Sequence, residues 1–308
     1  MLGLRASAQS PRPRTTADSL RIVWADVDHF WQAYDRLATA RTTADSLAII
    51  DTQYLALATP GLRKYAEAAQ ATAPDWLRAI RTHRRYLAAI RPAMQSVGQQ
   101  QHAIRQAARQ LQAIYPAATF PTLYFAVGKF EVGGTAFGDA LYIGAELKCA
   151  SPQPPLAEIR PELRGGVSAV STVSTACIHE IIHGQQQVRD YRTNLEGAIQ
   201  EGAAEYLAFR LTGRLGATAA FAYARQHEAV VRHQFAEQAD QPIAAKWFLA
   251  TPDAATGQPG ALGYFIGFRI CEAYYDQARD KKLALRQLVA LNDLPQLLAA
   301  GRRYLAQP

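Results

Sequence analysis

The chain is organised around residues 175–206, which read TACIHEIIHGQQQVRDYRTNLEGAIQEGAAEY. Within this stretch, His179, Glu180 and His183 form an H-E-x-x-H pattern. Because positions four apart lie on one face of an α-helix, the two imidazoles point the same way and can hold one metal ion. Glu180 lies one step around the helix, where its carboxylate can reach a water molecule bound to that ion.

The pattern is typical of zinc hydrolases, in which the glutamate is the general base. We therefore predict Zn²⁺ as the cofactor, with His179 and His183 as ligands and Glu180 as a catalytic residue. Catalytic zinc usually takes three protein ligands and keeps one position open for water. The metzincin pattern would place a glycine at position 186 and a histidine at position 189, and the presence of Gln186 and Arg189 excludes that class.

The third ligand is then expected on the next helix, where three glutamates follow the motif: Glu196, Glu201 and Glu205. Thr193 and Glu196 read as a capping box, which gives Glu196 a structural role. Glycines and alanines surround Glu201 and would let its helix approach the motif helix closely, so we predict Glu201 as the ligand. We predict that Glu205, one turn further, accepts a hydrogen bond from the far nitrogen of a ligand histidine. The alternative for Glu205 is a surface carboxylate.

The motif, followed by GAIQE at residues 197–201, resembles the gluzincin arrangement of thermolysin and the aminopeptidase-N group. In that arrangement the third ligand is a glutamate on the helix after the motif helix. The chain also resembles a bacterial family of predicted zinc-dependent proteases, long described as a domain of unknown function in exported proteins. That resemblance spans most of the chain and is carried by the segments VDHFWQAYDRL, TPGLRKY, FPTLYFAVG, IHEIIHGQQ, EGAAEYLA and LGYFIGFRICEAYYDQARDKK.

The resemblance implies a gluzincin-type zinc metallopeptidase that cleaves a peptide or protein substrate with zinc-activated water. In such a reaction Glu180 accepts the proton of the water, and a further donor stabilises the oxyanion. Tyr264, in the Gly-Tyr-x-x-Gly segment, is the predicted donor, the alternative being a tyrosine that only packs in the core. His227 is the second candidate, because an imidazolium is an equally good donor.

A second function of a different class is a non-catalytic zinc-binding or scaffolding protein of the cell envelope. A third is a zinc hydrolase that acts on an amide other than a peptide. Glu180 favours an enzyme over a scaffold, and so does the expectation that a structural zinc is closed by a fourth protein ligand.

The remaining sequence predicts a predominantly helical α+β fold, zincin-like, with a small antiparallel sheet. Apolar residues recur at helical spacing before Pro116, whereas strand-like segments separated by glycines follow it. These segments are residues 119–127, 135–137 and 140–143. We predict an N-terminal helical region at residues 17–115 and a zincin-like catalytic domain at residues 116–308.

The composition excludes several other classes of protein. The net charge of +7 comes from 33 basic and 26 acidic residues, but the arginines are scattered and no nucleic-acid-binding motif is present. No stretch approaches the roughly 20 apolar residues that a membrane helix needs. Three cysteines, far apart and odd in number, indicate no disulfide framework. The sequence predicts no particular oligomeric state.

The first residues indicate export. Ala6, Ser7 and Ala8, followed by Gln9, resemble a signal-peptidase site, although a complete signal peptide has a longer apolar region before it. We therefore predict that residues 1–16 are a disordered remnant of an export signal. The predicted location is exported, periplasmic or in the cell envelope.

Overall fold

The computed structural model describes residues 15–187, 190–216, 218–249, 251–253 and 255–307. The predicted signal-peptidase site lies outside the described residues, as does Arg189. The described chain forms an α+β fold, predominantly helical, with one small sheet, as the sequence predicted. The division at residue 116 stays a prediction.

The N-terminal region is a layer of helices that covers the sheet. Proline in the first turn favours the start of a helix, and Pro60 and Pro74 occupy such positions. Thr72 and Asp75 form a capping box at the same helix start as Pro74, and Thr42 and Asp45 form one at a further helix start. The helices are α1 (Ala25–Arg36), α2 (Thr43–Ile50), α3 (Pro60–Ala68), α4 (Ala73–Thr82), α5 (Arg84–Gln95) and α6 (Gln101–Ile114).

The sheet has four strands in the order β1-β2-β4-β3 and is mixed, not antiparallel as the sequence predicted. Its strands are β1 (Ile22–Val23), β2 (Thr122–Ala126), β3 (Gly134–Phe137) and β4 (Ala140–Gly144). β2 pairs in parallel with both β1 and β4, and only β3 and β4 are antiparallel. The reason is the connection after β2, which takes the chain past the position of β4 to the sheet edge. The tight turn at Gly138, with φ of +64°, then returns the chain as β4 beside β2.

The C-terminal region contains the remaining helices, among them the two that carry the motif residues. They are α7 (Ala145–Lys148), α8 (Pro161–Arg164), α9 (Val173–His183), α10 (Asn194–Thr212), α11 (Thr218–Gln226), α12 (Glu228–Ala236), α13 (Ala245–Phe248), α14 (Leu262–Gln277), α15 (Lys281–Ala290) and α16 (Leu294–Leu305). The predicted capping box at the start of α10 is confirmed, since the side chains and backbones of Thr193 and Glu196 bond each other reciprocally. No helix in the described part of the chain has the length and apolarity that crossing a bilayer requires.

Helix α10 meets α14 at two glycines, where the backbones touch directly. A Cβ on Gly267 would overlap the carbonyl group of Ala198, and a Cβ on Gly202 would overlap the backbone of Gly267. No flexible side chain lies at this contact that could move aside. The two glycines therefore set how closely the helices approach each other.

We expect Gly267→Ala to destabilise the protein by about 3 kcal/mol or more, because overpacking a rigid contact forces the backbones apart. In a helix without such a contact the same change would stabilise by about 1 kcal/mol, since alanine has the higher helix propensity. Urea denaturation of the two proteins measures the difference. Unchanged or increased stability would contradict the direct helix contact.

A buried acid lies beside the sheet, at Glu146 in α7. Its side chain is fully buried, and one carboxylate oxygen, Oε2, has no hydrogen-bond partner among the described residues. The hydroxyl groups of Tyr65 and Tyr142 converge with Oε1 of Glu146 on Gly128, where a Cβ would collide with all three. Burial raises the pKa of Glu146 to about 7.

This raised pKa makes the stability of the fold depend on pH. The folded protein holds the proton of Glu146 up to about pH 7, whereas the unfolded chain releases it near 4.5. The free energy of unfolding therefore falls as pH rises from 4.5 to 7, by up to about 3 kcal/mol. We expect Glu146→Gln to remove this part of the pH dependence in denaturation curves taken at pH 5 and pH 8. An equally steep dependence in the variant would show that another group is responsible.

Candidate metal centre

Two helices bring together the three side chains that the sequence predicted as ligands. His179 and His183 lie one turn apart on α9, with Nε2 atoms 3.0 Å from each other. Oε2 of Glu201, on α10, lies 3.3 Å from Nε2 of His179 and 3.2 Å from Nε2 of His183. Their side chains are 12%, 21% and 20% exposed, respectively, so a small ion can reach them from one side.

The far nitrogens of both imidazoles are already held by neighbouring residues. Nδ1 of His179 lies 3.3 Å from a carboxylate oxygen of Glu205, the contact predicted from the sequence, and Glu205 is 3% exposed rather than on the surface. Nδ1 of His183 lies 2.9 Å from Oε1 of Gln186, whose Nε2 donates to the carbonyl oxygen of Gln200. Because carboxylate and amide oxygens are acceptors, both Nδ1 atoms carry the proton.

The tautomers direct three lone pairs to one point. With Nδ1 as the donor, Nε2 of each imidazole is the nitrogen that faces the centre, and the third atom is a carboxylate oxygen. Three acceptors at this distance repel each other unless a proton or a cation lies between them. A tetrahedral zinc ion with ordinary bond lengths separates its ligand atoms by about 3.3 Å, and the three observed separations are 3.0 to 3.3 Å. The donor set and its spacing therefore fit such an ion.

The charges of the site also favour a cation. Burial lowers the pKa of His179, but its contacts with Glu201 and Glu205 outweigh burial and raise that pKa to about 10. Burial raises the pKa of the Glu201 carboxyl, but the two imidazoles outweigh it and hold that pKa well below its ordinary value. The cluster thus attracts positive charge strongly.

Tyr264 and Glu180 both lie at the site. The ring of Tyr264 stacks on that of His179 with centroids 6.0 Å apart. Burial and the charge of Glu201 raise the pKa of Tyr264 well above its ordinary value, so the hydroxyl stays neutral. Glu180 lines a cleft beside His179 and lies against Gly134 of β3. His227, the second candidate donor, packs on Tyr223 and does not line this cleft.

The cleft is lined by His179 but not by His183 or Glu201, and it has a volume of about 160 Å³. Lys148, at the end of α7, forms part of its wall together with Glu180, Glu205 and Tyr264. Burial lowers the pKa of Lys148, while the carboxylates of Glu180 and Glu205 act in the opposite direction. A larger cavity of about 540 Å³ lies near Trp247 and contains none of the donor groups.

Sequence reasoning missed Gln186 and Lys148. Gln186 lies three residues after His183 but beyond the end of α9, where helical spacing gives no signal, so only its closeness to the motif in the sequence pointed to it. Lys148 carries no such signal, because 31 positions (179 minus 148) separate it from the nearest ligand and only the fold brings it to the cleft.

The fold and the site together define a predominantly helical α+β protein with a His-His-Glu cluster beside a narrow cleft. Residues 23–302 match the family model described as "Gliding motility protein GldB", and the chain belongs to this family. The curated proteins and the solved structures contain no match to the chain. The model's short name marks the family as lipoproteins, which is consistent with the predicted location at the cell envelope.

Family membership overturns the activity predicted from the motif. The chain belongs to a gliding motility family and not to a zinc metallopeptidase family, so the identification as a gluzincin-type peptidase, hydrolase or protease is wrong. The description of the family points instead to a role in gliding motility. The motif misled because it describes how a helix presents metal donors, and that presentation is independent of what a bound ion does. The catalytic roles of Glu180 and Tyr264 stay predictions, and so does a zincin-like fold.

Proposed function

We propose that the protein is a zinc-binding component of the cell envelope that serves gliding motility without enzymatic turnover. The proposed metal site rests on one observation. Three acceptor atoms, from His179, His183 and Glu201, lie within hydrogen-bonding distance of one another. The role in motility rests on membership of the family. We place the protein on the exported side of the inner membrane, where a lipoprotein of the envelope is found.

The donor set favours zinc among common divalent ions. Two imidazole nitrogens and one carboxylate oxygen suit zinc, whereas calcium and magnesium prefer oxygen ligands throughout. Glu205 and Gln186 support this choice, because acceptors on the far nitrogens fix the orientation of ligand histidines in metal sites. Among the described residues only three donors meet at the centre. One coordination position therefore stays open to solvent or to a ligand from outside.

Removing one ligand tests both halves of the proposal. We expect purified protein to contain about one zinc per chain, measured by mass spectrometry of the metal, and His183→Gln to lose most of it because two donors bind weakly. In cells that carry this chain as their only copy, we expect the same variant to glide at the speed of cells that lack the protein. Immunoblots must show equal amounts of both proteins.

The control is His233→Gln, because His233 is an exposed histidine on α12 whose side chain is 78% accessible. This variant should keep both the metal and the gliding speed. If the wild-type protein contains no zinc and cannot be loaded with it, the proposed metal site is wrong. Normal gliding by metal-free His183→Gln cells would show that the metal does not serve motility.

Gln186 offers a finer test of the centre. We expect Gln186→Leu to weaken zinc binding about 10- to 100-fold, because Nδ1 of His183 loses its acceptor and the ring loses its orientation. The matched control is Gln185→Leu. Gln185 is also buried and its side chain bonds Thr119 and Ile181, not a ligand histidine. The variant Gln185→Leu should lower the stability of the protein. Its zinc affinity, measured by competition with a chelating dye, should stay within twofold of the wild-type value. Equal affinities of the two variants would argue against a role for Gln186.

A further inference from the structure

We infer that the larger cavity, beside Trp247, is a second binding site and that its ligand is a neutral saccharide. The cavity has a volume of about 540 Å³, which lies within the roughly 300–1,000 Å³ of pockets that hold small molecules. None of the proposed metal ligands lines it. The inference is therefore independent of the zinc site and adds a function to the one proposed above.

The cavity lies between α12, α13 and the segment that leads from α13 to α14. This segment packs tightly on itself at Gly260, where a Cβ would overlap the carbonyl oxygens of Leu249 and Thr251. The tight packing fixes the course of the backbone beside the cavity. A wall held in this way keeps its polar and apolar groups in set positions.

Glutamine side chains supply the polar groups of the cavity. Oε1 of Gln238 accepts the indole N–H of Trp247 at 3.2 Å, and Oε1 of Gln234 accepts from Nε2 of Gln258 at 3.1 Å. These bonds orient the three amides. Among the described residues, the NH₂ groups of Gln234 and Gln238 and the carbonyl oxygen of Gln258 make no hydrogen bond. The cavity therefore offers a ligand both donors and an acceptor, all uncharged.

The charged groups of the lining favour a ligand without charge. They are Lys246, Glu237 and Asp253. Hydrogen bonds from Thr256 lower the pKa of Asp253 most, and the positive charge of Lys246 acts in the same direction. An anionic ligand would meet the two carboxylates, and a cationic ligand would meet the ammonium group.

Apolar groups form the rest of the lining. Trp247 is buried and its only polar atom is bonded to Gln238, so the indole presents carbon atoms to the cavity. Pro259 and Leu262 extend this apolar wall. Leu249 also lines the cavity and is 56% exposed, so an occupant would cover apolar surface that now faces solvent.

A saccharide matches this combination of groups. Its hydroxyl groups both donate and accept hydrogen bonds, whereas the C–H groups of its ring form an apolar face. A peptide bound in extended form would need the unpaired edge of a strand, and the described walls of the cavity are helices and a loop. Neutral amides opposite an apolar wall therefore favour a sugar over an ion or a peptide.

The test applies the labelled full chain to a panel of immobilised oligosaccharides, neutral and acidic, and measures the affinity of the best ligand by calorimetry. We expect a neutral oligosaccharide to bind. Its affinity should change less than about twofold between about 50 mM and about 500 mM NaCl, because salt screens only interactions between charges. The inference is wrong if no saccharide of the panel binds, or if the best ligand is acidic and loses its affinity in salt.

Two variants locate the binding in the cavity. We expect Gln234→Leu to weaken it about tenfold, because the ligand loses a donor and Gln258 loses its partner. Leu249→Ser should weaken it about threefold, because less apolar surface is covered, and the exposure of Leu249 leaves the fold intact. The control is Gln296→Leu, at an exposed glutamine of α16, which should bind normally. Unchanged affinity in both cavity variants would overturn the inference.

The ligand variant His183→Gln separates this site from the metal centre. We expect it to bind the saccharide with wild-type affinity, because His183 does not line the cavity. Loss of saccharide binding in this variant would place the ligand at the metal centre and contradict a second site. Wild-type protein that binds the saccharide but no zinc would instead support the second site and overturn only the proposed function.

Discussion

The contact between α10 and α14 is the constraint on which the site depends. Gly202 and Gly267 let the two backbones touch, and each glycine lies close in sequence to a residue of the site. Glu201 precedes Gly202 directly, and Tyr264 lies three residues before Gly267. The crossing therefore sets the position of Tyr264 relative to Glu201. A larger residue at either glycine would move the Glu201 carboxylate away from the two imidazoles.

The orientation of the side chains in the site comes from the residues that contact the three predicted ligands. Glu205 and Gln186 hold the far nitrogens of the two histidines, and the ring of Tyr264 stacks on that of His179. Each imidazole thus has a partner that fixes its direction. The cost of assembling a metal site lies mainly in holding like partial charges together, and here packing and hydrogen bonds supply that energy during folding. A cluster held in this way would need little movement to receive an ion.

Much of this arrangement follows from local sequence rules, and the rest does not. The facing histidines, the capping box at Thr193 and the choice of Glu201 depend on spacing along one helix or between adjacent helices, which sequence shows directly. The direction of β2 relative to β4 depends on the path of a connection, and strand composition carries no information about that path. Lys148 reaches the cleft only because α7 follows β4 directly and β3, the neighbour of β4 in the sheet, lies against α9.

The motif says less about the use of the site than about its geometry. An H-E-x-x-H helix places two nitrogens and a carboxylate around an ion, and those positions are equally suited to water activation and to the attachment of a ligand. What separates the two uses is the rest of the cleft. Here Lys148 and Glu180 line the same cleft, so the glutamate of the motif shares its surroundings with a cation. The motif alone therefore does not decide between the two uses.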